Sequence, residues 1–222
     1  MPTTTLTIGV DKAGTVSGIL QVPKQANAYY VMAHGAGAGM THPFMAAVAD
    51  GLFDRHVATL RYQFPHMERG SKRTDTPALA HATVRAAVSE ATRHVPSLPL
   101  FAGGKSFGGR MTSQAQAEAP LPDVRGLAFF GFPLHPAKQP SDLRAQHLSQ
   151  VQIPMLFLQG TRDAMADMTL LASVTKRLGR KATLVKVDDG DHSFHVRTRS
   201  GRTDAQALAE MLDALVAWMA MQ

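Results

Sequence analysis

Apolar residues along this chain come in short blocks, set between helical patterns and loops marked by glycine and proline. The stretches 4–10 and 15–22 are rich in β-formers and flank Ala13-Gly14, which predicts an antiparallel hairpin. Residues 28–33 (AYYVMA) predict a short apolar strand running into the Gly-rich loop 34–39. A helical pattern covers 43–55, and VATLRY at 57–62 returns as a strand. The polar segment 63–76, with Pro65 and Gly70, predicts a loop. Thr76-Pro77 then opens a helix toward His94, with the proline near the first turn, where its missing N–H does least harm.

The second half repeats the pattern. Strands are predicted at 98–102, 126–132, 154–159 and 183–187, and helices from the glycines after the first of these to about 119, over 168–178 and over 205–221. A proline-containing connection, 133–152, has one short helix near 143–148, and 188–202 is a polar loop. Strands alternating with helices imply βαβ units: a mostly parallel sheet, opened by an N-terminal antiparallel hairpin, with helices on both faces. In such a sheet the chemistry sits at the carboxyl ends of the strands.

Composition narrows the field. A chain of 222 residues supports a single domain over 1–222 and is short for two. The 45% hydrophobic and 18% charged fractions argue against disorder. Cysteine is absent, which excludes disulfides, thiolate zinc sites and a cysteine nucleophile. The net charge of +6 gathers at Arg69, Lys72 and Arg73, at 176–181 and at 197–202. These clusters fall in different loops and helix ends without interleaved aromatics, so they predict solvated charge and no nucleic-acid partner. No signal-like leader and no apolar run near 18 residues is present, so a cytoplasmic protein with no membrane association is expected.

Gly104-Lys105-Ser106-Phe107-Gly108 matches G-x-S-x-G between an apolar strand and a helix. That motif builds a sharp turn that holds the serine in a strained conformation and lifts its Oγ clear of the sheet. The rival reading, a P-loop ending in Gly-Lys-Ser, needs glycine at position 99, which is Pro99. A serine hydroxyl is a weak nucleophile that needs an adjacent base, itself oriented by an acid. After elbows of this kind the acid precedes the base along the chain. Asp163 follows the strand at 154–159 and His192 the strand at 183–187, so both have the expected order and strand-end placement. Asp167 and His195 are the rivals, placed later.

His34-Gly35-Ala36-Gly37-Ala38-Gly39 lies where a second strand-end loop would supply half of an oxyanion hole, with the N–H of Ala36 and that of Phe107 as donors. A dinucleotide fingerprint would need glycine at Met40 or His42. His192 and His195 form an incomplete ligand set, so no metal and no cofactor is expected. Phe64 and Met67 are the apolar members of an otherwise polar loop and are candidates for a substrate-pocket wall.

The stretches AHGAGAGM, RYQFPHM, GGKSFGGR, FFGFPLHP, LFLQGTRD and DGDHSFH resemble a small family of the α/β-hydrolase superfamily. It includes the hydrolase-like domains of KANSL subunit 3 and testis-expressed protein 30 and is related to dienelactone hydrolases. The resemblance covers most of the chain from Ala33 to His195. It implies the α/β-hydrolase fold and the triad Ser106, Asp163 and His192, without naming a substrate. The connection 133–152 is too short and proline-broken to form a large cap domain. The expected activity is cleavage of an ester, thioester or similar acyl bond of a small soluble substrate. The alternative is a non-catalytic interaction module that retains the fold.

Overall fold

The computed structural model describes residues 1–11 and 13–222. Eight strands form one sheet in the order β1-β2-β4-β3-β5-β6-β7-β8. Strands β1 (Thr4–Val10) and β2 (Gly14–Gln21) make the antiparallel hairpin, and β2 pairs antiparallel with β4 (Val57–Tyr62). From β4 onward the sheet is parallel: β3 (Ala28–Ala33), β5 (Leu100–Lys105), β6 (Val124–Phe130), β7 (Met155–Gly160) and β8 (Ala182–Val187). Strands β3, β4 and β7 are buried at every position, as expected of parallel strands covered on both faces.

The two faces carry separate cores. Helices α1 (Pro43–Phe53) and α6 (Asp204–Met219) bury Met45, Val48, Leu52, Leu215 and Trp218 against Tyr30, Phe101 and Phe130 of the sheet. On the other face α3 (Pro77–His94), α4 (Phe107–Glu118) and α5 (Met168–Leu178) bury Val84, Val88, Met111, Leu171 and Val174. Their starts are written in the chain. The Thr76 hydroxyl accepts from Leu79 N–H ahead of Pro77, Asp167 accepts from Thr169 and Leu170 N–H, and Thr203 forms a capping box with Gln206. Asp167, a sequence rival for the catalytic acid, is thereby committed to a helix cap.

The observed α/β-hydrolase architecture agrees with the expected one, with local differences. Strand β5 continues to Lys105, three residues beyond the apolar block, because Gly103 and Gly104 stay in the ladder with β3 and β6. Segment 63–76 holds a short helix, α2 (Pro65–Glu68), seeded by a proline at its first position. As expected, the β6–β7 connection carries a short helix, of 3-10 type over Leu143–Gln150, and adds no cap domain among the described residues. Among the described residues no helix is long and apolar enough to cross a membrane.

Candidate active site

Strand β5 delivers Ser106 to a turn that only this local sequence permits. Ser106 has φ of 50°, and α4 begins at the next residue. The turn passes so close to β3 that a Cβ on Gly104 would lie 2.1 Å from the Ala33 carbonyl oxygen, and one on Gly108 2.5 Å from that of His34. Only glycine fits both places. Ser106 is the N-cap of α4, yet its hydroxyl makes no capping hydrogen bond. Oγ instead lies 2.8 Å from His192 Nε2.

His192 comes from the loop after β8, and its Nδ1 lies 2.7 Å from Asp163 Oδ2. Asp163 follows β7 and is 5% exposed, while the His192 side chain remains 27% exposed on the cleft side. The carboxylate is held from several directions: Met165 N–H donates to Oδ1 at 2.7 Å, and Gln159 Nε2 donates to Oδ2 at 2.6 Å. The loop carrying His192 is tied down by its own acids. Asp191 Oδ1 accepts from Ser193 and His195 N–H, and Asp189 accepts from Arg197 N–H and its guanidinium. His195 points elsewhere, pairing with Asp204 at 3.0 Å on the surface.

Lys105, the residue before Ser106, is a site member that sequence reasoning passed over. Its ammonium donates to the His192 carbonyl and lies 5.2 Å from the Phe194 ring centroid and 5.9 Å from that of Phe44. Burial pushes its pKa down to about 8, against the opposing pull of Asp163 and Asp191. The signal was present in the chain as a charged residue at the end of an otherwise apolar strand.

The loop after β3 faces the elbow. Among the described residues neither Ala36 N–H nor Phe107 N–H has an acceptor, so both are open to receive charge. Together with Ser106 and His192, these elements border a cleft of about 390 Å³, walled by Gly35, Ala36, Gly37, Phe44, Met45 and Met165.

Two candidate wall residues belong elsewhere. Phe64 has no exposed surface and packs edge-on against His34 and Phe107, beneath the cleft floor. Met67, half-buried on α2, does not border the cleft. The cause is α2 itself, which turns Phe64 inward as its N-cap. The wall is built by Phe44 and Met45 of α1 and by Met165, none of which belongs to a motif stretch. Arg69, one of the clustered basic residues, donates to the buried Asp75 at 2.8 Å.

A half-buried serine hydroxyl, an imidazole, a carboxylate and two open N–H groups meet at one strand-end cleft, the set of groups that acyl transfer would require. The fold is shared with known proteins. By structure the chain is similar to a dienelactone hydrolase from Anabaena variabilis, with 20% identity, 99% of this chain and 97% of that one covered, and a TM-score of 0.78. It is also similar to an α/β serine hydrolase homologue from Coxiella burnetii (18% identity, 98% and 97% covered, TM-score 0.76). A third is an α/β serine hydrolase without a lid from Xanthomonas campestris (19% identity, 97% and 96% covered, TM-score 0.72). At such identities these likenesses speak for the fold. The family model describing an alpha/beta hydrolase domain matches residues 26–220, which takes in every element from β3 to α6, and the protein therefore belongs to the α/β-hydrolase family.

Proposed function

We propose that this hydrolase-family protein is a serine hydrolase that cleaves an ester or thioester of a small acyl group through an acyl-enzyme. The observation that carries this reading is the unbroken chain Ser106–His192–Asp163, at 2.8 and 2.7 Å, on an elbow turn beside an apolar cleft. Ser106 Oγ attacks the substrate carbonyl carbon while its proton passes to His192 Nε2. Asp163 keeps the ring in the Nδ1–H tautomer and stabilises the imidazolium that forms. The N–H groups of Ala36 and Phe107 receive the developing oxyanion. His192 returns the proton to the leaving oxygen or sulfur, and the acyl group stays on Ser106. A water then attacks the acyl carbon, its proton moving to His192 and on to Ser106 Oγ, and the carboxylic acid departs.

The short walls Phe44, Met45 and Met165 suit a small acyl group. The motif resemblance to the testis-expressed protein 30 and KANSL subunit 3 branch, and a cytoplasmic location, belong to the same proposal. Labelling with a fluorophosphonate tests it. The parent protein should take up one label, on Ser106, and Ser106→Ala none. A folded parent that takes no label would fit the interaction-module alternative instead.

A further inference from the structure

Beneath the loop 34–39 lies a group of buried polar side chains that the reaction proposed above does not use. His34 and His66 have no exposed surface, and the Asp75 side chain almost none. His34 Nε2 accepts a hydrogen bond from Phe64 N–H at 3.0 Å, so its proton sits on Nδ1, which donates to the Gly35 carbonyl at 2.7 Å. That carbonyl belongs to the same peptide as Ala36 N–H. The next peptide is held as well, since His66 Nε2 lies 3.3 Å from the Ala36 carbonyl oxygen. On its far side His66 Nδ1 meets Asp75 Oδ2 at 3.0 Å, and the same oxygen accepts His66 N–H at 2.9 Å. A ring donating from both nitrogens satisfies both contacts at once. The His66 ring also packs edge-on against Phe107, the owner of the other open N–H, with centroids 6.1 Å apart.

A carbonyl that accepts a hydrogen bond polarises its peptide and makes the N–H on that peptide a stronger donor. Oxyanion donors are effective when their direction is set before charge develops, so that nothing has to reorganise during the reaction. Burying a carboxylate and two imidazoles is costly unless each is paired, and here one contact of each imidazole ends on a peptide carbonyl beside Ala36. We propose that His66, anchored by Asp75, is a positioning residue that works with His34 to clamp the two peptides flanking Ala36 and aim its N–H at the oxyanion. This rests on the reading of Ala36 and Phe107 as the oxyanion donors. The structural alternative is that the cluster only fastens α2 to the sheet.

The test compares p-nitrophenyl acetate with its thiono analogue, in which the carbonyl oxygen is sulfur and accepts hydrogen bonds poorly. His66→Phe and His66→Asn both remove the donor to the Ala36 carbonyl, whereas His66→Gln can reach it with its amide. The first two should lower kcat on the oxygen ester by about tenfold to a hundredfold, below the cost of deleting a donor outright. KM should stay within about twofold, the thiono rate should fall much less, and Gln should recover most of the loss. Oxygen and thiono rates falling in step, or kcat within about twofold of the parent, overturns the clamp; if the Phe variant fails to fold, Asn decides. Long-range ¹H–¹⁵N spectra of histidine-labelled parent protein give a readout independent of turnover. A proton on His66 Nε2 is expected, and a bare Nε2 overturns the proposal. An unlabelled Ser106 in the parent would sink the hydrolase reading instead, and leave that spectrum to judge the clamp.

Discussion

Gln159 donates to the same Asp163 oxygen, Oδ2, that faces His192, at 2.6 Å from inside the β7 strand. The side chain is fully buried and its Oε1 has no partner among the described residues, so its one hydrogen bond serves the acid. Gln159→Leu keeps the volume and removes the donor; kcat should fall by about tenfold, the rate equivalent of a modest hydrogen bond to a charged group. Gln159→Glu should be worse at pH 8, where two carboxylates at this distance cannot both ionise. Its deficit relative to the parent should shrink toward pH 6, as the pair takes up a shared proton. Equal deficits at both values would show that Gln159 does not act through Asp163.

The proposed triad makes a ranked prediction. His192→Ala should lower turnover by on the order of 10³-fold or more, and Asp163→Asn by up to about 10⁴-fold if it alone sets the histidine tautomer. His195→Ala should cost little, because His195 is paired with Asp204 on the surface. Steady-state kinetics on one activated ester suffice. A His195 variant worse than the His192 variant would remove the assignment of the base.

Lys105 predicts a pH effect of defined sign. Its folded pKa, about 8, lies below the ordinary value of 10.5, so between those values the unfolded chain binds more protons than the native one. Stability therefore rises with pH across this window on account of Lys105, and the buried charge weighs against the fold below it. Relative to Lys105→Met, the parent should gain stability from pH 8 to 9.5 in urea titrations. The same variant loses the donor to the His192 carbonyl, and its kcat should fall about tenfold. A constant stability difference over that range would contradict the buried-ammonium assignment.

Acid should unfold the protein partly through His34. Burial holds His34 down at about 4, below its ordinary 6.5, despite the hydrogen bond to Gly35. The unfolded chain then binds the extra proton between those values, and stability is lost as pH falls from 6.5 toward 4. For this group the loss is on the order of 3 kcal/mol. His147, lowered to about 4 by burial and by Arg110, adds in the same direction. Denaturant unfolding at pH 7, 5.5 and 4.5 should show His34→Gln less stable at pH 7 but shallower in its pH dependence. An unchanged slope would refute it.

Substrate size follows from the cleft. With about 390 Å³ between Phe44, Met45 and Met165, and no cap over it among the described residues, p-nitrophenyl acetate and butyrate should outrun decanoate in kcat/KM. A preference for long chains, or a jump in rate above the micelle concentration, would reveal a cover that forms only at a lipid surface.

Much of this protein is determined by its sequence alone, and for local reasons. The strand–turn–helix around Ser106 is legible because glycine is the only residue that avoids the clash at 104 and 108, a constraint written in consecutive positions. The helix starts at Pro77 and Met168 are legible because caps act over three or four residues. Asp163 and His192 can be nominated since parallel strands deliver their carboxyl ends to one edge. Which residues line the cleft was decided only by the tertiary structure. Phe64 and Phe44 are both apolar residues beside a loop, and nothing within either segment says that one turns under the floor while the other forms the wall. That choice depends on α2 folding back over β2 and on α1 docking against β4, which sets Phe44 edge-on to Phe130 of β6. The same holds for Lys105 against the His192 carbonyl and His66 against Ala36. Each joins segments whose contact exists only once the sheet is assembled, and in each a polar group is buried because its partner arrives from elsewhere in the chain.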